Sequence, residues 1–367
     1  MTLTVLSVAY PLAPVGPDAV GGAEQILNSL DAALVAAGHH SLVLACEGSK
    51  TRGTLFPIRI TDWPLDEALA WVYERQVSTI NRILNEYSVD VVHMHGLNFA
   101  KCLPAQDVPV LATLHMPVSY YPPESFSLTR PRTFLQCVSF SQRRSFPEAA
   151  QFLPPIENGV PFTGALKPLA TRKFCVALGR ICPEKGFHFA IGAAERARTP
   201  LLLGGPVFNF KTYQQYFDEE IAPKCNRFAR FIGTVNTQRK RRLLSAAKCL
   251  LIPSVVQETS SLVAMEAFAC GTPVVAFRSG ALVEIVEHGR TGFLVNDEKE
   301  MADAIGEVGA LDIRACLETA RERFSVERMV QQYFELYRTI TADYTEKDPR
   351  FDPFYPRLSN LQSECVR

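Results

Sequence analysis

Short apolar runs, each followed by a stretch with helical spacing, recur along the chain and constrain its fold more than any other feature. In the first half these runs are LTVLSVAY, HSLVLAC, DVVHM, VPVLATL and FLQCVSF; in the second they are FCVALG, PLLLGG, RFIG, KCLLIP, PVVAF and GFLV. A strand with one wet face alternates apolar and polar residues. These runs are continuous, so both faces must be covered, as in a parallel sheet flanked by helices. The intervening helices supply the long crossovers that parallel pairing requires. The same grammar appears twice in 367 residues, a length beyond one ordinary core. We therefore expect an α/β chain of two doubly wound domains, residues 1–163 and 164–325, whose strand ends face a central cleft. Between them lies PPIENGVPFTGALKPL, where Pro and Gly cluster and periodicity is lost. Residues 326–367 are expected to form a last helix and a tail.

Composition removes several function classes. Lys and Arg number 38 against 38 Asp and Glu, so no global charge points to nucleic acid. The first half leans acidic, which disfavours docking on an anionic membrane. No apolar stretch approaches the ~20 residues of a membrane span. The start, MTLTVLSVAYPL, lacks a basic leader and reads as a first strand rather than a signal peptide. Ten cysteines are scattered without CxxC pairs, mostly in apolar segments, which suits free thiols in a reducing cytoplasm. A soluble cytoplasmic protein is the expectation.

In doubly wound sheets ligands bind beyond the strand ends, so the residues there carry the information. No G-x-G-x-x-G follows a strand, which argues against a dinucleotide site. After FCVALG come Arg180 and Lys185, two cations leading into a helix and suited to an anion. The alternative is an ordinary solvated loop. After KCLLIP comes QETSSLVAMEAFACGTPVVAF, read as a loop, a helix from about Ser260, a stop at Gly271–Pro273 and a strand. Ser260 or Ser261 is a candidate cap for that helix, whose free N–H groups would face the cleft. Glu258, just outside this terminus, would repel a phosphate and suits neutral hydroxyls further along a ligand. Glu266 sits inside a helix apolar on nearly every face, and an unpaired buried carboxylate costs several kcal/mol. Either a distant Arg pairs with it, or it accepts the hydroxyls of a ribose. Sugar, diphosphate and ribose along one helix start describe a nucleotide sugar.

The first half offers Gly21 and Gly22 in DAVGGAEQI, and His95 and His115 at strand ends in DVVHMHG and LATLHMP. No D-x-D occurs, and no His/Cys cluster has zinc spacing, so metal ligands are not expected. The basic run QRKRRLL, residues 238–244, reads first as the solvent face of a helix.

These residues are similar to the retaining nucleotide-sugar glycosyltransferases of family 4, over about residues 3–340. The resemblance is sharpest at Glu258 and Glu266 and continues through EAFACGTPVVAF and SGALVEIVEHGRTGFLV; GGAEQ, HMHG, TLHMP, ENGVP and GRICPEKG fall in the family's order. It implies the GT-B fold, two Rossmann-like domains facing a cleft. It implies that Arg180 and Lys185 hold the diphosphate, Glu258 the sugar hydroxyls and Glu266 the ribose. Gly22 would lie at the phosphate and acceptor side, and His115 beside the transferring sugar. Gly21, Gly205, Ser260, Ser261 and Leu262 complete the expected donor-binding set. The last helix, SVERMVQQYFELYRTI, resembles the family's final helix, which returns to the first domain; the tail with DPRFDPFYPRL is expected to lie extended on the surface.

The implied reaction is metal-independent transfer from a nucleoside-diphosphate sugar, UDP preferred, to an acceptor hydroxyl with retained anomeric configuration. The donor is a co-substrate and no cofactor is expected; the acceptor is a saccharide, a lipid-linked glycan or a small molecule. One departure stands out. Where the family has Glu-x-Phe-Gly-Leu, this chain has Glu258-Thr259-Ser260-Ser261-Leu262. The rival readings are a sugar-nucleotide 2-epimerase and a catalytically silent nucleotide-sugar-binding protein.

Overall fold

A computed structural model describes residues 2–59, 65–148, 151–162 and 172–342, without the side chains of residues 65–69. The first sheet contains β1 (Thr4–Val8), β2 (His40–Cys46), β3 (Thr54–Ile58), β4 (Val91–Met94), β5 (Val110–Leu114), β6 (Thr133–Cys137) and β7 (Phe152–Leu153). Its order is β3-β2-β1-β4-β5-β6-β7, with parallel pairing throughout. The second contains β8 (Cys175–Leu178), β9 (Leu201–Gly204), β10 (Ala229–Phe231), β11 (Leu250–Ile252), β12 (Val274–Phe277) and β13 (Gly292–Val295). Its order, β10-β9-β8-β11-β12-β13, is also all parallel. Strand order thus reverses between β1 and β4, and again between β8 and β11. Those two switch points are where crevices open in such sheets.

The α-helices are α1 (Gly22–Ala36), α2 (Leu65–Glu86), α3 (Phe140–Ser145), α4 (Phe187–Arg196), α5 (Lys211–Tyr216), α6 (Thr237–Ala246), α7 (Leu262–Ala269), α8 (Leu282–Ile285), α9 (Glu298–Glu307), α10 (Ile313–Glu322) and α11 (Val326–Thr341). Each sheet is covered on both faces, which explains its continuous apolar strands. One face of the first sheet is closed by two helices of distant origin. Ile26, Leu30 and Leu34 of α1 pack there with Met329, Tyr333, Tyr337 and Ile340 of α11, against Leu3, Val5, Val91 and Leu111. The chain's last described helix is therefore part of the first sheet's core. A bridge from Val160 to Ser325 ties its start to the crossing segment.

Eleven of the thirteen strands are those expected. The two missed, β3 and β7, are the edges of the first sheet. The sequence TLFPI has a proline and is half-exposed, and β7 has two residues, so neither carries the apolar run that marks an inner strand. The apolar run FLQCVSF suggests one strand, but β6 ends at Cys137 and α3 begins at Phe140. Ser139 terminates the strand by capping that helix, accepting from Gln142 N. Part of the expected connecting segment and the whole tail, DPRFDPFYPRL included, lie outside the described residues.

Candidate active site

The loops after β8 and β11 are held together by backbone packing. Pro183–Lys185 forms a short turn that ends at Gly186, in the left-handed region at φ 60°. A Cβ on Gly186 would lie 2.2 Å from Pro253 O, so only glycine lets the Lys185 turn sit against the end of β11. Glycine acts again behind Glu258. Gly280, at φ 52°, would place a Cβ 2.2 Å from Glu258 O, and Ala281 N donates to that same carbonyl at 2.7 Å. The SGA turn after β12 therefore clamps the Glu258 backbone.

With both loops fixed, Lys185 Nζ lies 2.6 Å from Glu258 Oε1. Ser254 Oγ donates to the same oxygen. The pair is recessed, with the Glu258 side chain 10% exposed and that of Lys185 26%. Two residues assigned by sequence to different parts of a ligand are thus one ion pair. Arg180, by contrast, donates no side-chain hydrogen bond among the described residues. It lies near the buried Glu24 of α1, whose carboxyl is raised by burial and partly drawn back down by its own backbone N–H and then by the Arg180 charge.

Glu266 also has a cation. Lys240 Nζ reaches Glu266 Oε1 at 2.5 Å, with side chains 17% and 15% exposed. Burial pushes the Glu266 carboxyl up, and Lys240 opposes that shift. The partner is a lysine rather than the distant arginine of the alternative reading, and it belongs to the 238–244 run read first as a solvent face. Arg239 and Arg242 do face outward, but Lys240 turns in. The run's composition concealed this, because one inward lysine among outward basic residues leaves no mark on charge.

Helix α7 begins at Leu262, later than expected. Neither serine caps it: Ser261 occupies the cap position without a side-chain bond, and Ser260 Oγ accepts from Asn158 Nδ2 at 3.0 Å. The α1 terminus is likewise without a side-chain cap. These two starts meet, since a Cβ on Gly22 would lie 3.5 Å from Leu262 Cδ1. Two helix N-termini that lack side-chain caps therefore approach each other, an arrangement suited to an anion, with the Glu24 carboxylate already accepting from its own N–H at the α1 start. Gly21 has a different task. A Cβ there would fall 1.9 Å from Glu24 Oε2, so its bareness makes room for that carboxylate. Gly205 is packed against backbone, its Cβ position 1.7 Å from Gly179 O and its N–H bonded to Gly233 O at 2.9 Å.

On the facing side, His95 Nδ1 and His115 Nε2 are 3.0 Å apart, with rings nearly parallel at 18°. Burial pushes His115 down to about 4 and holds His95 well below its ordinary value, so both are neutral at pH 7. Sequence reasoning missed His93, two residues before His95 and hence on the same strand face. It bonds Tyr337 OH and Thr113 Oγ1, each at 2.7 Å, and Gln136 and Tyr333 extend that buried network. The spacing in HMH was the available signal. Glu24 was also passed over, although it stands in GGAEQ. No group of three or more His, Cys, Asp or Glu side chains suited to a metal ion occurs among the described residues.

Two family models match the chain, Glycosyltransferase Family 4 over residues 20–150 and Glycosyl transferases group 1 over residues 172–309. A glycogen synthase of Mycobacterium tuberculosis is 26% identical over 348 residues, covering 80% of this chain and 81% of that protein. A D-inositol 3-phosphate glycosyltransferase of Nocardioides sp. is 38% identical over 125 residues, 32% of this chain and 27% of its own length. Among solved structures, Anabaena HepE in complex with UDP and glucose superposes with a TM-score of 0.72 at 19% identity, over 92% of this chain and all of its own, a likeness of fold. The two matched domains, the relative aligned along most of both chains and the shared architecture of two parallel sheets place this chain among the glycosyltransferases of GT-B type.

Proposed function

We propose that the protein transfers a sugar from a nucleoside-diphosphate sugar, with UDP the preferred carrier, to an acceptor hydroxyl, with retention and without a metal ion. The observation that carries this reading is the meeting of the α1 and α7 N-termini beside Arg180 and Lys185. Uncapped helix starts and cations suit a diphosphate, and the recessed Glu258 and Glu266 carboxylates suit sugar and ribose hydroxyls. The Anabaena neighbour solved with UDP and glucose supports the choice of base.

In this reading the bond from the anomeric carbon to the diphosphate oxygen breaks, and its electron pair stays on the diphosphate. The acceptor oxygen bonds that carbon on the same face and passes its proton to the departing phosphate. Arg180, Lys185 and the two helix starts stabilise the charge that develops, so catalysis is mainly positioning and electrostatic. Glu258 accepts sugar hydroxyls and Glu266 the ribose, each carboxylate sharing or exchanging the lysine that now holds it. Ser260, Ser261 and Leu262 offer backbone to the donor, and neutral His115 stands beside the sugar. The donor is a co-substrate and no cofactor is needed. The proposed division is residues 1–163, 164–325 and 326–367.

Support for work in a reducing cytoplasm comes from the nine described cysteines, all free and eight of them buried. No described helix is long and apolar enough to cross a membrane. A thermal-shift screen of nucleotide sugars identifies the donor, since a ligand of the folded state raises stability. Proton NMR of the first product formed then reads the linkage. An inverted linkage sinks the mechanism, and a donor isomerised without acceptor points to the epimerase instead.

A further inference from the structure

The loop that departs from the family's pattern is also the loop that reaches across the cleft. Thr259 Oγ1 donates to His115 O at 2.8 Å, and Ser260 Oγ accepts from Asn158 Nδ2 at 3.0 Å. Asn158 is itself held, because Arg328 donates to the neighbouring Glu157 O at 2.6 Å and Arg323 pairs with the Glu157 carboxylate. Thr259 directly follows Glu258, whose backbone is clamped to its own domain through Ala281 N. His115 is fixed within its domain as well, its ring by His95 and its N–H by Tyr121 OH at 2.8 Å. The threonine hydroxyl therefore joins two rigid pieces, one on each side of the cleft.

We propose that Thr259 is a positioning residue: its hydroxyl sets the donor-side Glu258 loop in register with His115 across the cleft. The proposal rests on the glycosyl-transfer reading for its catalytic consequence. Other cross-cleft links, Arg144 to Glu284 at 2.6 Å and Thr237 Oγ1 to Asp18 Oδ1 at 2.9 Å, are on the exposed rim and touch no proposed ligand-binding residue. Thr259 is adjacent to one acid of the site and bonded to the backbone of its histidine. A small loss of register there would misplace the sugar against its acceptor while leaving the diphosphate grip intact.

Thr259→Val keeps the shape and removes the hydroxyl; Thr259→Ser keeps the hydroxyl. We expect the valine variant to lose about tenfold in kcat with donor KM within about twofold, and the serine variant to stay within about twofold of the native protein. Hydrogen exchange without any substrate should quicken over residues 113–118 and 256–261 in the valine variant alone. Equal behaviour of the two variants, or no change in the valine variant, overturns the proposal. If the unaltered protein transfers sugar from no nucleotide donor, the catalytic role falls with the reading beneath it, and the exchange data still decide whether Thr259 ties the domains.

Discussion

At the ends of β4, β5 and β6 the buried polar side chains are uncharged: His93, His95, Thr113 and Gln136, joined by Tyr333 and Tyr337 of α11. At the ends of β8 and β11 they are charged and matched, Lys185 with Glu258 and Lys240 with Glu266 from the helix that follows. Sheet topology does not explain the contrast, since both sheets are parallel and reverse their order at the same point. What differs is how each side tolerates burial. A neutral network costs little to desolvate when its members bond one another, and it stays rigid. A buried ion pair is costly to desolvate and strongly destabilised when one partner is removed. Each of these pairs is only partly exposed, and in the proposed reading each would exchange its partner for a charged ligand. The second sheet thus holds matched charges, and the first presents a neutral hydrogen-bonded wall.

The largest effect that would break this comparison concerns the cations. Arg180→Ala and Lys185→Ala should each lower kcat by ~10²–10³, and the double variant should lose more, though less than the product. The two singles should separate in stability. Loss of Lys185 strips Glu258 of its cation, whereas Arg180 leaves behind no described ion-pair partner, so only the lysine variant should melt earlier. Near-native turnover in the double variant would show that the diphosphate is neutralised elsewhere.

Next in size is Glu266→Gln, read by calorimetric titration with the nucleoside diphosphate. Charge-assisted hydrogen bonds contribute roughly 1.5–3 kcal/mol, so affinity should fall about ten- to a hundredfold. If melting collapses while affinity holds, Glu266 serves Lys240 alone and the second sheet's charges are structural.

The neutral wall is tested by pH. His115 is pushed from its ordinary 6.5 to about 4, so the unfolded chain binds its proton first as pH falls. The folded protein should therefore lose stability progressively from about pH 6.5 down to 4, by roughly 1–3 kcal/mol from this residue. Glu24 and Glu266, raised by burial, contribute with the opposite sign, so the comparison must be made within one background. Chemical unfolding of native protein and His115→Asn across that range should give a flatter profile for the variant. Parallel profiles would mean that His115 titrates alike in the folded and unfolded chain. The smallest expected effect is that of chelation. Exhaustive removal of divalent ions should change activity by less than about twofold, and activity that returns only with magnesium or manganese would replace the cation account.

The repeated apolar runs were enough to specify two parallel α/β sheets, because a strand covered on both faces leaves a continuous hydrophobic signature. Edge strands β3 and β7 leave none, and they were not found. Glu258, Arg180 and Lys185 stood out because strand ends in such sheets face a crevice, and Glu266 because a carboxylate inside an apolar helix needs a partner. Which of these residues touch was decided by contacts between distant segments. Gly186 against Pro253 and Gly280 against Glu258 bring Lys185 to Glu258, through backbone approaches that no local pattern encodes. One inward turn of α6 selects Lys240 for Glu266 from a run of similar cations. The Thr259 hydroxyl meets His115 only because two domains close on each other, 144 residues apart in sequence. Sequence fixes burial and chemical type locally, but partnership between charges depends on ångström-scale approach, and only the packed chain sets that distance.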